Sequence, residues 1–333
     1  MNYADKLGSL REIFAGEILN VSADNVVTSL GTFPVVDGVI IALAPEHYPP
    51  YVQRRLGVGA CQNAQATTTF APDIQFTFGS EWQTFPRVLP EHEDEFRKYF
   101  DIVDQGDLQN KRVCDLGCGI GRWSYYLAPK CKEVVLVDFS EAIFIARKNL
   151  AHATNTIFVI ADIKALPFRK KFCDLIACIG VLHHLPSDAL SEVRALRRYG
   201  HDLLIYLYYA LDNRPFYFRM ILAWVTAVRL GLSRVRSHRI RLGLSHIGAL
   251  LVYRPLVALG TVLDAVGLGR YVPLYAFYRG KSQQRLAQDV YDRFFTRIEQ
   301  RVSRAEILNL KSDFRCVTVS EGDPYWHFLC SDF

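Results

Sequence analysis

The sequence predicts an α/β protein: a doubly wound, mostly parallel seven-stranded sheet ending in an antiparallel hairpin. A small β-rich unit precedes the sheet, and a helical insertion interrupts the chain late. Three observations carry this expectation. From Val113 to Tyr208 apolar runs alternate with helical patterns, as βαβ units with helices on both sheet faces require. The first run, "VCDLGCGIG", closes on three glycines in five positions, the composition of a tight strand-to-helix turn. Near the end, "CVTVSE" and "WHFLC" bracket the short turn "GDPY", which reads as a hairpin.

The strand-like runs of the alternating region are "RVCDLG", "EVVLVD", "TIFVIAD", "CDLIACIG" and "DLLIYLY". Before them, "NVVTSLGTFPVVDGVIIAL" holds short β-branched runs split by Gly31, Pro34 and Gly38, the punctuation of hairpins. Residues 1–70 are therefore expected to form an accessory unit. The small, polar stretch Gly57 to Asp73 serves as its linker to the main domain, 71–333. An aromatic stretch, "FTFGSEWQTF", leads into an acidic helix ahead of the glycine turn. Within the main domain, 213–284 is the insertion.

Composition bounds the rest. The 333 residues are half apolar and 22% charged, which allows a large core and excludes wholesale disorder. A net charge of +5 does not by itself suggest nucleic acid. Eight cysteines stand at 61, 114, 118, 131, 173, 178, 316 and 330, no two with C-x-x-C spacing, so reduced buried thiols are expected and no metal. The N-terminus lacks a secretory apolar core, and no window of ~18 uncharged apolar residues occurs. The expected location is cytoplasmic, with room for peripheral membrane contact.

The glycine spacing is Gly117-x-Gly119-x-Gly121, preceded by Asp115, and Arg122 stands where a dinucleotide motif wants its last glycine. This D-x-G-x-G-x-G pattern resembles the first motif of the class I S-adenosylmethionine-dependent methyltransferases. Three further stretches continue the resemblance in order: "VVLVDFS" ending at Asp138, "FVIADIKALPF" with Asp162, and "FCDLIACIGVLHHLP" with its strand end at Ile179 and Gly180. The resemblance implies S-adenosylmethionine as cofactor. Asp115 would face its ammonium, and the backbone of Gly117, Cys118, Gly119 and Gly121 would run beside the methionine moiety. Asp138 and Phe139 would meet the ribose, Asp162 and Ile163 the adenine, Ile179 the strand end beside the donor. Trp82, in "FGSEWQTF", would cover the cofactor or simply pack. The "FP-V-DG" turn of the N-terminal unit resembles small zinc-ribbon-type domains, but no cysteine precedes Cys61, so the unit reads as structural.

Methyl transfer from a sulfonium needs alignment and exclusion of water, and an acceptor with an acidic proton also needs a base. His183 and His184, just past the fourth parallel strand, are candidates for that base or for packing at a helix start. In "DVYDRFFTRIEQRVSRAEI" a resemblance to related enzymes implies that Tyr291, Arg293 and Glu299 line the acceptor pocket, while Ser303 and Glu306 form a capping box. His327 is expected in the core.

From Arg214 to Arg241 seven arginines and no acid lie among apolar helices. Such a segment suits a membrane headgroup boundary, a lid over a greasy substrate, a dimer interface, or an ordinary helical cap. The function expected is methylation, on oxygen or carbon, of a small acceptor: a lipid, a quinone-like ring, a sugar or a polyketide intermediate. A non-catalytic cofactor-binding partner protein and an RNA methyltransferase are the alternatives. Nucleic acid is not expected as a partner, because no N/D-P-P-Y/F-type motif follows the fourth strand and no RNA-binding module is recognisable.

Overall fold

The computed structural model describes residues 3–58, 75, 79, 81–235 and 237–332. Most of the expected linker, Cys61 and Arg236 lie outside the described residues.

The chain opens with helix α1 (Leu7–Ile13) and strands β1 (Ile18–Val21), β2 (Asn25–Thr28), β3 (Gly31–Val36) and β4 (Val39–Ile41), followed by α2 (Pro50–Leu56) and α3 (Glu91–Tyr99). The alternating region follows: β5 (Arg112–Leu116), α4 (Ser124–Leu127), β6 (Glu133–Asp138), α5 (Ala142–Asn149), β7 (Thr156–Ile160), β8 (Cys173–Ile179), α6 (Ala189–Leu196) and β9 (Gly200–Tyr206). Four further helices occupy the insertion: α7 (Phe216–Leu232), α8 (His238–Gly248), α9 (Arg254–Asp264) and α10 (Tyr275–Tyr278). The chain returns through α11 (Gln283–Phe295) and α12 (Arg304–Leu308) to β10 (Cys316–Val319) and β11 (His327–Ser331).

The strands form one sheet in the order β1-β2-β3-β4-β7-β6-β5-β8-β9-β11-β10. Its centre, β7-β6-β5-β8-β9, is parallel, and β11 joins β9 antiparallel with β10 outside it, so the seven expected strands and the closing hairpin are present. Every residue of β5, β6 and β7 is buried, because a parallel sheet covered on both faces needs apolar side chains in both alternating sets. Val135, Val137, Ile157 and Val159 face one core layer, while Val134, Leu136, Phe158 and Ile160 face the other. The capping box at α12 forms as its residues suggest: the Ser303 hydroxyl accepts from the Glu306 N–H while the Glu306 carboxylate accepts from the Ser303 N–H.

The N-terminal strands differ from the expectation of a separate accessory unit. β4 pairs parallel with β7, Ile40 opposite Val159, so the antiparallel β1–β4 meander extends the main sheet to eleven strands. Side chains fasten it as well. The Tyr3 hydroxyl donates to the Gly38 carbonyl at 2.9 Å, Lys6 donates to the carbonyls of Thr154 and Thr156, and Glu12 joins Arg112 at 2.6 Å. Leu10, Ile13 and Phe14 enter the core layer under β5 and β6. An all-apolar β4, paired with β3 along one edge only, is most stable with its other edge against the free edge of β7.

α8 and α9 run through a π-helical turn at Ala249–Tyr253 as one 27-residue helix, His238–Asp264, long and apolar enough by length and composition to cross a membrane. Arg239, Arg241 and Arg254 keep every uncharged run within it shorter than ~18 residues, as expected from the sequence, so it meets that limit only with charge included. One face of this helix packs on α11 through Arg241, Ser245, Ala249 and Tyr253, all buried at four-residue spacing.

The insertion is tied to the sheet domain by buried charge. Glu95 of α3, 1% exposed as a side chain, accepts from Arg285 at 2.9 Å and from Lys281 at 2.8 Å. Burial alone would push its carboxyl up, but the two cations outweigh this and hold it well below the ordinary glutamate range. Replacing Glu95 by Ala strands two buried cations and is expected to cost about 3–5 kcal/mol in denaturant unfolding. Because the folded pKa is the lower one, the contribution is complete above the unfolded value and fades with acid. The difference between Glu95→Ala and the parent should therefore shrink below about pH 4.

Candidate active site

The glycine turn sits where β5 ends, at the carboxyl edge of the parallel strands. Gly117, Gly119 and Gly121 all have positive φ, at 77°, 54° and 74°, a region L side chains avoid. At Gly117 a Cβ would lie 2.3 Å from Val181 Cγ2, and at Gly121 2.6 Å from Leu150 Cδ1. Glycine is therefore required twice for contact as well as for curvature. The turn is held from beneath: the N–H groups of Gly117 and Cys118 donate to the Val137 carbonyl, and the Gly119 N–H donates to Asp138 Oδ2 at 2.8 Å. The other Asp138 oxygen accepts from the Ser140 N–H and hydroxyl.

Two cavities meet beside this turn. The smaller, about 90 Å³, is the crevice at the strand ends. Its walls include Gly117, Cys118, Asp138, Phe139, Asp162 and Ile163, with Trp82, Ile179 and His184 also lining it. So eight of the eleven sequence-predicted cofactor residues come together. Three do not line it. Gly119 lies under the Trp82 ring, 3.0 Å from its would-be Cβ, and Gly121 packs against Leu136, Ala146 and Leu150. Asp115 is 1% exposed, and its Oδ2 accepts from the Ser124 hydroxyl at 2.6 Å beneath the turn. This corrects the expectation that Asp115 faces the ligand: its carboxyl fixes the start of α4 instead. Burial pushes it up to about 6.

The larger cavity, about 300 Å³, runs from the crevice to the insertion. Trp82, Arg122, Ile179, Gly180 and Asp292 line both. Its inner half is aromatic and charged, with Glu81, Tyr99, Tyr206, Tyr208, Arg293 and Asp289. Its outer half is apolar, with Phe218, Ile221, Leu222, Val225, Val252 and Leu256 from the insertion helices. The Arg122 guanidinium stands 5.2 Å from the Trp82 ring and 4.6 Å from the Trp123 ring, held between two aromatic faces.

The predicted catalytic residues separate. His184 lines the crevice, with Nδ1 at 2.8 Å from the Ile298 carbonyl and Nε2 at 3.9 Å from Asp292 Oδ1. His183 does not line either cavity. It is fully buried and stacks on Tyr208 at 4.0 Å, and burial pushes its imidazole well down, so it packs as an uncharged ring. Tyr291 is also fully buried, and its hydroxyl meets His238 Nδ1 at 3.1 Å, away from both cavities. It fastens the insertion to the core, which corrects its placement in the acceptor pocket. Glu299 likewise turns away, toward Arg229 and Arg301, whereas Arg293 does line the cavity. His327 is in the core as expected, bonded to Asp101 Oδ1 at 2.6 Å.

Sequence reasoning missed Glu81, Arg122 and Asp292. Glu81 is 1% exposed with Oε2 lacking a hydrogen-bond partner among the described residues, and the half-buried Asp292 likewise has none at Oδ1. Burial pushes Glu81 well up, and the nearby Asp292 charge adds to this. Asp292 is raised by burial, lowered in part by His184 and raised again by Asp289. Asp292 Oδ2 accepts from the Tyr208 hydroxyl at 3.2 Å. The signal that finds Asp292 is helical: Arg285, Gln288, Asp289, Asp292 and Arg293 lie on one face of α11 at i, i+3, i+4 spacing, and Tyr291 does not share that face.

Residues 113–200 match the family model described as a methyltransferase domain. Over this stretch the chain carries a methyltransferase domain. The cofactor that the resemblance in its motifs implies for this domain is S-adenosylmethionine. Among curated proteins the chain is similar to a ubiquinone biosynthesis O-methyltransferase of Coxiella burnetii, 32% identical over 119 residues, 34% of this chain and 49% of that one. It is also similar to a tRNA U34 carboxymethyltransferase of Campylobacter hominis, 28% identical over 132 residues, 38% of this chain and 42% of that one. The chain thus spans less than half the length of these curated relatives. Among solved structures it is similar to magnesium protoporphyrin IX methyltransferase from Synechocystis, with a TM-score of 0.35 and 21% identity over 45% of this chain and 80% of that one.

The crevice of this methyltransferase domain fits the donor on its own geometry. The backbone of Gly117 and Cys118 forms part of its wall, and the carboxylates of Asp138 and Asp162 stand in the wall where hydroxyl and amino groups need acceptors. Asp138→Ala removes the partner of both Gly119 and Ser140. It is expected to weaken S-adenosylmethionine binding about 100-fold in calorimetry, with native circular dichroism. Asp115 gives a stability prediction. Its folded pKa of about 6 lies above the unfolded value, so its ionisation opposes folding as pH rises from about 4 to 6. Asp115→Asn keeps an acceptor for Ser124 and should be more stable than the parent above pH 6, by up to about 3 kcal/mol in thermal melts, and equal to it near pH 4.

Proposed function

We propose that this protein is an enzyme that methylates oxygen or carbon on a small amphipathic acceptor, one with a hydroxylated ring or head and an apolar tail. The observation that carries this reading is the shared wall of the two cavities: Trp82, Arg122, Ile179, Gly180 and Asp292 border both the donor crevice and a second cavity whose inner half is polar and whose outer half is apolar. A purely polar acceptor would leave Phe218, Leu222, Val225 and Leu256 facing water, and a purely apolar one would leave Glu81 and Asp292 desolvated without partners. The faces of Tyr99, Tyr206 and Tyr208 suit a ring at the inner end.

S-adenosylmethionine supplies a methyl group already activated on a sulfonium, for in-line displacement. The chain's own residues have three tasks. Asp138, Asp162 and the Gly117–Cys118 backbone bind; Trp82 and Ile179 line the passage between the cavities and keep water from it; Asp292 takes a proton. Asp292 suits that task because one oxygen is anchored by the Tyr208 hydroxyl while the other has no hydrogen-bond partner among the described residues. Its raised pKa makes it a stronger base than an exposed aspartate. The acceptor O–H donates to Asp292 Oδ1, and the proton passes to the carboxylate as the oxygen takes the methyl group. For a carbon acceptor the same carboxylate takes the proton that restores the ring.

The test follows tritiated S-adenosylmethionine into the solvent-extractable and aqueous fractions of a lysate of the source organism. Label is expected in a solvent-extractable small molecule. Label confined to RNA, or donor binding without any transfer, would overturn the reading. Asp292→Asn should lower turnover about 10²–10⁴-fold and leave donor affinity within about twofold. Activity of the parent should fall as pH drops through the raised Asp292 pKa, since only the ionised carboxylate accepts a proton, and that acid limb should vanish in the variant.

A further inference from the structure

Large apolar side chains exposed to solvent are concentrated on one segment. Of twenty among the described residues, sixteen lie between Phe216 and Tyr271. On α7 they form a row at four-residue spacing, Phe216, Met220, Trp224 and Val228, and Trp224 is 76% exposed. The opposite face of the same helix, Phe218, Leu222 and Val225, lines the acceptor cavity. On the His238–Asp264 helix the outward row is Ile240, Ile247, Leu250, Leu251, Leu259 and Val262. A water-soluble surface rarely gathers so many.

The charge on this segment is of one sign up to its end, where the single acid, Asp264, pairs with Arg279 at 3.1 Å. From residue 213 to 263 there are eight arginines and no acid. Two are taken inward: Arg229 donates to the carbonyls of Thr296 and Arg297 at the end of α11, and Arg241 donates to Val235 and covers the Phe295 ring. Arg219, Arg234, Arg239 and Arg254 are exposed around the apolar rows. Apolar rows with cations at their edge complement the interface of an anionic bilayer, whose headgroups pair with arginine while its acyl boundary takes the apolar side chains.

We infer that the outer face of α7 and of the His238–Asp264 helix docks in the plane of an anionic lipid bilayer. The contact is monotopic. The inner face of the long helix stays committed to the protein, through buried Arg241, Ser245, Ala249 and Tyr253 and through the Tyr253 hydroxyl on Asp289 at 3.1 Å. A spanning helix would have to abandon these bonds. Ile221 and Val252 are wall residues of the acceptor cavity and are also exposed on the docking face, so the cavity reaches the surface there. An amphipathic acceptor could therefore pass from the leaflet tail-first or tail-last without crossing water. This last step rests on the function proposed above, whereas the docking does not.

The experiment uses the full-length protein without acceptor or donor, so it reads docking alone. Vesicles of phosphatidylcholine are compared with vesicles of phosphatidylcholine and phosphatidylglycerol, by co-sedimentation and by quenching of tryptophan emission with brominated lipid. Trp82, Trp123 and Trp326 are buried, so quenching reports Trp224. Binding to the anionic vesicles that weakens with salt, with quenching that Trp224→Tyr abolishes, supports the inference. So does a loss of about tenfold or more in partitioning for the double variant M220D/W224D, with native circular dichroism. Absence of binding to anionic vesicles at low salt overturns it. So does a stable dimer that M220D/W224D splits, since a second copy would then cover the face, and so does resistance to alkaline carbonate, which marks a spanning helix. The quenching on the parent decides the matter should the double variant not fold.

Discussion

Arg285, Asp289, Asp292 and Arg293 recur along α11 so that an otherwise apolar helix turns one charged face toward the acceptor cavity. These buried and half-buried charges are paired, three of them with groups from other parts of the chain and Arg293 with Asp289 on the helix itself. Arg285 pairs with Glu95 of α3, Asp289 accepts from Tyr253 of the insertion and from Arg293, and Asp292 accepts from Tyr208 just past β9. Such pairs contribute little net stability against an apolar replacement but are costly to break singly. The face of α11 therefore acts mainly as a register device. It allows the insertion one seat on the sheet domain, and that seat sets the cavity between them.

The same logic explains why the insertion is cationic. Its helices have no acids to pair among themselves over 213–263, so every inward arginine must find an acceptor on the sheet domain or a free carbonyl. Arg229 uses the last carbonyls of α11, where the helix dipole favours a cation, and lies 3.8 Å from Glu299. Tyr291 adds a neutral fastening through His238. With polar capacity spent inward, the outer faces of these helices are left to apolar side chains and the remaining arginines.

Much of the sheet was legible because its information is local. Each parallel strand is an unbroken apolar run, each run ends at a residue that lines or supports the crevice, and the glycines mark the first turn. The position of β4 was not legible in this way. Its pairing with β7 joins Ile40 to Val159 across more than a hundred residues, and nothing in "VVDGVII" announces a distant edge. The punctuation at Gly31, Pro34 and Gly38 described the meander correctly and left its partner unspecified. Asp115 and Asp138 show a subtler limit. Both follow apolar runs and both are buried, yet Asp138 stands in the crevice wall while Asp115 turns under it to Ser124. Position at a strand end gives the neighbourhood of a side chain, not its direction. The mistake at Tyr291 has a plainer cause. A family likeness pointed to the right segment, but one residue along a helix is a rotation of about 100°, enough to exchange a buried fastening for a cavity wall.

Gly180 shows why the two cavities can act as one site. Its φ is 82°, its N–H donates to the Tyr206 carbonyl at 3.1 Å, and it borders both cavities. At Gly117 an added Cβ would strike Val181, but at Gly180 it would meet nothing within 4 Å. The space beside Gly180 is therefore open, and it lies where donor crevice and acceptor cavity join. A side chain there would project into the passage between them. Around it stand one indole, one isoleucine, one guanidinium held between rings, and one carboxylate with a free lone pair. A methyl group crossing from sulfonium to nucleophile needs an unobstructed line, few waters and a single proton acceptor at its end. The open space beside Gly180, bordered by residues drawn from four separate stretches of the chain, is the line the proposed transfer would use.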